Sequence, residues 1–342
     1  MDQRITIGVL VILISIKNAS QGILIPIISE IYKSFNFVLI TCALQFILVF
    51  GTIYLAINKR FKKPANFGTI IASGFFLALA TLCMLYAANP KRTPIMLQVI
   101  LISLLLMFSY FLRKKFINRV IVYDLRYIII SAILIGISIL LCSIPIATHF
   151  TTHNVIWIPL FLIGVISLSA YNVAQERYLT EDASFGNKIT LLFYSKLFEF
   201  GMIIGLSWLE LFIGYEDNPI QVFKDSAIKF VTDFRAFLLL QGFILAYLFA
   251  FFLATYLNSI STNYNMFTII IANPLIIIFF TIFKQFNTGI VYSLWIIIPA
   301  ILLNIIGIVT WVKGERKMVE SATPGTIQEK SELKPLLHRE SV

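Results

Sequence analysis

The chain has 342 residues, of which 59% are hydrophobic and only 13% are charged, and its mean hydropathy is +0.89. A soluble globular domain is about 45–50% apolar and about 25% charged, so this composition excludes a soluble protein and leaves an integral membrane protein. The net charge of +10 would suggest nucleic acid in a soluble chain, but here we interpret it as an orientation signal and expect no nucleic-acid partner.

Ten hydrophobic segments, each long enough to cross a bilayer as a helix, follow one another along the chain. We predict an all-α membrane protein whose transmembrane helices occupy residues 5–32, 37–58, 66–88, 93–112, 127–147, 154–174, 189–213, 236–258, 263–283 and 289–312. With both termini in the cytosol, 18 of the 27 Lys and Arg residues, Arg113 among them, lie on the cytosolic side and seven on the other. Lys17 and Lys196 are the two that remain inside spans.

The two halves of the chain share short stretches of similar sequence. Residues 40–51 of the second span match residues 189–201 of the seventh, with one residue inserted, and four positions between 86 and 116 match positions 170 residues later. We predict a 5+5 duplication, with repeats at 1–147 and 148–313 followed by a disordered cytosolic tail at 314–342. Because five is odd, the second repeat enters the membrane in the opposite sense, an arrangement found in secondary transporters.

The longest connection, between spans seven and eight, contains a further helix signal. Asn218 precedes Pro219, as at a helix start, and apolar residues then recur at helical spacing between charged ones. We predict a short amphipathic helix on the non-cytosolic membrane surface. A helix that only caps the bundle is the alternative.

Polar side chains inside hydrophobic spans mark the candidate site, because burying them in a bilayer is costly without a partner or a wet cavity. Our candidates for substrate binding or proton coupling are Lys17, Asn18, Gln21, Gln45, Gln98, Asn172, Glu176, Lys196, Glu199 and Asn273. The three cysteines lie apart inside spans, and the sequence contains no enzyme motif. We therefore predict no metal, no cofactor and no catalytic residues.

Lys196 and Glu199 lie three residues apart and therefore on one face of the seventh span. A carboxyl group in an apolar cavity is suited to take up a proton from an acidic compartment, whereas a neighbouring ammonium favours the ionised carboxylate. Two interpretations stay open: a proton-coupling or substrate-binding site, and a static ion pair that only holds the helix in place.

The hydrophilic tail contains an acidic dileucine motif, in which Glu332 precedes the pair Leu336 and Leu337 by four residues. Clathrin adaptor proteins bind such motifs on flexible cytosolic tails and deliver membrane proteins to endosomes, lysosomes or vacuoles. We predict a multi-pass protein of one of these membranes, present as a monomer or a homodimer.

Ten spans, cytosolic termini and an inverted repeat resemble the drug/metabolite transporter superfamily. Within it, residues 88–98 (ANPKRTPIMLQ), 113–116 (RKKF) and 171–179 (YNVAQERYL) are similar to the chloroquine-resistance-transporter-like branch. The resemblance implies a proton-coupled exporter of amino acids, small peptides, thiol peptides or cationic drugs from an acidic compartment, and Gln98 and Glu176 lie in the matched motifs. Residues 214–235 lack the paired cysteines of the best-known members, which puts a disulfide-stabilised lid in doubt.

We therefore expect a secondary active transporter that moves a small-molecule substrate by alternating access, with its site near the middle of the bilayer. Two alternatives remain. A nucleotide-sugar antiporter of the Golgi or endoplasmic reticulum would need buried Lys or Arg to neutralise a diphosphate, and only Lys17 and Lys196 qualify. A non-transporting membrane scaffold or trafficking protein would use the tail as its active element.

Overall fold

The computed structural model describes residues 3–58, 64, 66–89, 92–117, 124–149, 156–208, 218–284 and 292–321. Over this part of the chain every regular element is an α-helix. The twelve helices are α1 (Gln3–Ile31), α2 (Phe35–Asn58), α3 (Phe67–Ala87), α4 (Ile95–Ile102), α5 (Leu105–Phe116), α6 (Leu125–His149), α7 (Trp157–Leu179), α8 (Phe185–Leu206), α9 (Pro219–Thr232), α10 (Phe234–Asn258), α11 (Thr262–Ile282) and α12 (Leu294–Ser321).

The ten predicted membrane spans are confirmed among the described residues, and α4 and α5 together form the fourth. The chain is thus a multi-pass membrane protein. Because ten spans return the chain to the side on which it began, we call that end of the bundle the terminal side and the other end the distal side. The dileucine motif at Glu332, Leu336 and Leu337 lies outside the described residues.

Several span boundaries differ from the prediction. α7 continues to Leu179 rather than ending at 174, because the polar residues Gln175 and Glu176 are buried inside the protein instead of facing water. The last helix extends to Ser321. The fourth span is interrupted at Ser103 and Leu104, whose amides donate at 3.0 Å to carbonyls only three residues back, so the helix tightens locally.

The helices pack mainly across the two halves of the chain. α3 runs along α7, α6 along α12 and α2 along α8, while α1 lies against α10 and α11. Small residues permit the closest approach, since a Cβ added to Gly164 of α7 would lie 3.0 Å from the backbone nitrogen of Met84 in α3. Large apolar side chains such as Leu48 and Leu140, each 68% exposed, face outward, as expected where lipid covers a bundle.

α9 is the helix between the seventh and eighth spans. Asn218 begins it by accepting a hydrogen bond from the Gln221 amide, with Pro219 at the first helical position. The rings of Phe223 and Phe230 pack 5.6 and 5.8 Å from the ring of Phe37 in α2. A helix is therefore present at the predicted position, and its location on a membrane surface stays a prediction.

Candidate functional site

A buried ion pair lies in the middle of α8. The helix begins after Ser184, whose hydroxyl accepts a hydrogen bond from the Asn187 amide. Lys196 Nζ lies 2.6 Å from Glu199 Oε2, and the two residues are only 1% and 3% exposed. The structure thus brings together the two side chains that their spacing had placed on one face, about halfway along the span.

Each member of this pair has further neighbours from other spans. The Lys196 ammonium lies 3.5 Å from the ring centroid of Phe251 in α10 and 4.8 Å from that of Phe46 in α2, which gives cation–π attraction. The Thr81 hydroxyl of α3 lies 3.2 Å from Glu199 Oε1 and 2.6 Å from the Leu77 carbonyl oxygen of the same helix, so its single proton is shared between these two acceptors. The two carboxylate oxygens of Glu199 therefore have different partners: Oε2 faces the Lys196 ammonium, and Oε1 faces the Thr81 hydroxyl.

The ion pair lines a small cavity of about 20 Å³. Four spans form its wall, two from each half of the chain: α2, α3, α8 and α10. Cys42 of α2 and Tyr247 of α10 face the cavity with Thr81, Lys196 and Glu199. The volume is enough for about one water molecule and for no larger solute.

On the terminal side of this cavity, a second buried ion pair joins three spans. Arg113 near the end of α5 donates to Glu176 Oε1 of α7 at 2.9 Å, and the two residues are 4% and 2% exposed. Arg113 also donates to the Ser261 hydroxyl at 3.2 Å, and Glu176 Oε2 accepts from the Thr262 amide at 3.1 Å. Because Thr262 begins α11, the pair ties that helix to α5 and α7.

An amide cluster continues inward from this ion pair. The Asn172 side-chain oxygen accepts from the amides of Asn258 and Asn265, both at 2.8 Å, and its backbone carbonyl accepts from the Thr262 hydroxyl. Gln175 accepts from Asn258 at 2.7 Å. All of these residues are buried, so a polar seam closes the terminal side between α7, α10 and α11.

The distal side is closed by a smaller set of hydrogen bonds. The Tyr86 hydroxyl at the end of α3 donates to Asn36 at 3.0 Å, and the Asn36 amide donates to the Ser207 carbonyl at 3.2 Å. Lys229 of α9 donates to the carbonyl of Ile31 at 3.2 Å, so α9 is bound to the end of α1, where the α1–α2 connection begins. Burial, followed by the nearby Asp233 carboxylate, raises the pKa of the Tyr32 phenol in this connection to about 12, so the phenol is neutral at physiological pH.

The other predicted site residues do not line the cavity of Lys196 and Glu199. In α1, Lys17 donates to Asn18 at 2.8 Å and Asn18 donates to Thr268 of α11 at 3.1 Å. Gln98 donates to the carbonyls of Ala88 and Thr93 and thereby fixes the α3–α4 connection. Three further predicted residues complete the set: the half-buried Gln21 and Gln45, and Asn273, which donates to the Val99 carbonyl at 2.8 Å.

The expectation that Lys17 and Lys196 are the only basic residues inside the bundle is wrong. Arg113, which we had assigned to the cytosolic orientation signal, is buried against Glu176, whereas Lys17 is only half-buried. The sequence did contain a signal for this pair, because a carboxylate such as Glu176 inside a span demands a partner. Within the described ranges, no three His, Cys, Asp or Glu side chains come together as a metal site would require.

No protein-family model matches the chain, and a search of curated proteins finds no significant match. The resemblance to the drug/metabolite transporter superfamily therefore stays a prediction that rests on the sequence motifs.

Proposed function

We propose that this protein is a secondary active transporter that moves small solutes by alternating access and couples their movement to protons. One observation carries the proposal: a buried ion pair faces a small cavity halfway along the spans. A buried charge in a span is costly, and in transporters such groups mark the path of substrate and protons.

The position of the cavity between polar closures supports a carrier rather than a channel. The Arg113–Glu176 pair and the amide cluster lie on the terminal side, and the Tyr86–Asn36–Ser207 contacts lie on the distal side. Opening one set at a time would expose Lys196 and Glu199 to one side of the membrane and then to the other. A channel would instead open both sets together.

The neighbour relations of the spans support the 5+5 repeat. If each span is replaced by the span five positions away in the chain, the contact between α3 and α7 becomes a contact between α10 and α1. In the same way, the contact between α1 and α11 becomes a contact between α7 and α5. All four of these contacts exist in the structure. The α2–α8 and α6–α12 contacts convert into themselves. Two related halves packed about a common axis have this property, as inverted-repeat transporters do.

The chemistry of the pair suggests how a proton and a substrate are coupled. Protonation of Glu199 at Oε2 makes a neutral acid and leaves the Lys196 ammonium, over the ring of Phe251, without its counter-ion. A carboxylate of the substrate then takes the place of Glu199. This exchange favours amino acids, small peptides and thiol peptides over cationic drugs, and it moves proton and substrate together out of an acidic compartment.

The proposal includes membership of the drug/metabolite transporter superfamily, both termini in the cytosol and a lysosomal, vacuolar or endosomal membrane. The sequence motifs, the excess of Lys and Arg in one set of connections and the dileucine motif at Glu332, Leu336 and Leu337 support these points. The nucleotide-sugar alternative gains no support from the additional buried cation, because Arg113 is committed to Glu176.

The test uses two native cysteines and requires no knowledge of the substrate. Cys42 faces the cavity, whereas Cys142 lies in α6, completely buried beside Tyr292. Two single-cysteine proteins, one retaining Cys42 and one retaining Cys142, are treated in proteoliposomes with a small membrane-impermeant thiol reagent, added first outside and then inside. We expect Cys42 to react from each side and Cys142 to stay unmodified until the protein is unfolded. A folded protein whose Cys42 never reacts would favour the scaffold alternative.

The substrate is then sought by uptake under an imposed pH gradient, comparing amino acids, dipeptides, glutathione, a cationic drug and nucleotide sugars. Glu199→Gln is the test variant, and Asp225→Asn, which removes an exposed carboxylate from α9, is the matched control. We expect the first change to abolish the response to the gradient and the second to leave it intact. Unchanged coupling in Glu199→Gln would remove this residue from the mechanism.

A further inference from the structure

A second cavity, of about 390 Å³, shares no lining residue with the cavity of Lys196 and Glu199. It is a cleft between α3, α5 and α7, at their terminal-side ends. Its volume falls in the range of roughly 300–1,000 Å³ that is usual for small-molecule sites. The transport mechanism makes no use of it.

Small residues leave space on the floor of this cleft, and larger apolar side chains form its walls. Gly68 and Ala72 of α3 face Ala170 of α7, while Phe76 and Leu112 flank them. A Cβ added to Gly68 would meet no atom within 4 Å, so the cleft is open at this point. Its shape and apolar character suit a hydrocarbon chain.

The cleft is formed by segments that belong to membrane spans. Its lining residues fall almost entirely within the spans Phe67–Ala87, Ile95–Phe116 and Trp157–Leu179. Next to it, Ile71 and Phe111 are 41% and 65% exposed, as side chains in contact with lipid are. The molecules that surround the cleft are therefore lipids, already present at high local concentration.

The rim of the cleft is basic. Arg177 lines it, is exposed, and makes no ion pair with any other described residue. Lys115 is exposed in the last turn of α5, and its ammonium lies 5.6 Å from the ring centroid of the lining residue Phe116. An acidic group also lies here, since Glu181 accepts a hydrogen bond from the rim residue Asn66 at 2.7 Å. Among these charged groups only Arg177 lines the cleft itself, and its charge favours an anionic headgroup.

We propose that the cleft binds one acidic glycerophospholipid of the surrounding bilayer. The negatively charged headgroup lies at Arg177, and an acyl chain lies along Gly68, Ala72 and Phe76. Such a lipid connects the end of α5, where Arg113 lies, to α3 and to α7, where Glu176 lies. Bound lipid therefore stabilises the bundle on its terminal side.

The experiment measures which lipids stay bound to the purified full-length protein in native mass spectrometry. The probes are phosphatidylserine and phosphatidylcholine with identical acyl chains, supplied in equal amounts. Gly68→Phe fills the cleft, Ala72→Leu fills it less drastically, and Arg177→Gln removes the rim charge. The matched controls are Gly205→Phe, at an α8 glycine that also has nothing within 4 Å, and Lys224→Gln, at an exposed lysine of α9.

We expect the unaltered protein to retain one phosphatidylserine in preference to phosphatidylcholine. Arg177→Gln should lower that preference about tenfold, as loss of a charge-assisted contact does. The two filling variants should lower retention of both lipids, and the controls should change neither. The proposal is overturned if the unaltered protein shows no preference, if the filling variants retain lipid normally, or if the controls lose it equally.

Discussion

A Cβ added to Gly74 would lie 2.7 Å from the backbone carbonyl oxygen of Ser195, so α3 and α8 meet backbone to backbone beside the ion pair. The same Cβ would lie 2.6 Å from the Cβ of Phe198 and 3.3 Å from the amide nitrogen of Glu199. None of these atoms belongs to the flexible end of a side chain. The position of Lys196 and Glu199 therefore depends on the absence of a side chain at residue 74.

Gly74→Ala should displace α8 and weaken the contact between Thr81 and Glu199. We expect a loss of about 1–3 kcal/mol in the free energy of unfolding, as overpacking usually costs, together with reduced transport. The control is Gly201→Ala on α8, where nothing lies within 4 Å and alanine favours the helix. Thermal unfolding in detergent and uptake in proteoliposomes measure both effects. Equal behaviour of the two variants would contradict the close packing.

The two interpretations of the Lys196–Glu199 pair give different results in a double variant. Lys196→Met alone should cost about 3–5 kcal/mol of stability, because it leaves a carboxylate buried without its counter-ion. Adding Glu199→Gln should restore most of this stability by removing the charge. If the pair is only a static ion pair, the double variant should also transport normally. We instead expect the double variant to fold and to transport nothing, because the pair belongs to the transport site.

Breaking the Arg113–Glu176 pair should loosen the terminal side. Arg113→Gln alone should cost about 3–5 kcal/mol for the same electrostatic reason, so the informative protein is the double variant Arg113→Gln and Glu176→Gln. We expect its Cys42 to react faster with thiol reagents added on the terminal side, and no faster with reagents added on the distal side. An equal rate increase from both sides would indicate general loosening of the bundle.

Composition and periodicity predict the spans because the bilayer imposes a simple rule on length and polarity. They also identify Lys196 and Glu199 as an interacting pair, since both lie on one helix and their spacing alone makes them neighbours. The partner of Glu176 was not predictable in this way: Arg113 lies 63 residues earlier, at the end of a span where basic residues are normal. Contacts between distant spans depend on how the helices pack, and a single sequence contains little information about that packing.

Gln98 illustrates the same limit, because the sequence offers it as a binding residue and the structure gives it backbone partners. Gln98→Ala should leave the carbonyls of Ala88 and Thr93 without their donor and cost about 1–3 kcal/mol of stability. Its transport should keep the normal response to pH. Gln45→Ala, at a half-buried position on α2, serves as the control and should unfold at the normal temperature. A lost pH response with normal stability would return Gln98 to the binding site.

The small cavity also bears on whether the carrier must exchange one solute for another. The cavity of about 20 Å³ is too small for a solute larger than water, and Lys196 supplies the counter-ion of Glu199 from within the chain. A site that is neutral without cargo is able to return across the bilayer alone. We therefore expect net flux into liposomes that contain no solute, at a rate comparable to that into preloaded ones. Strict dependence on preloading would mean that the return step needs a cargo.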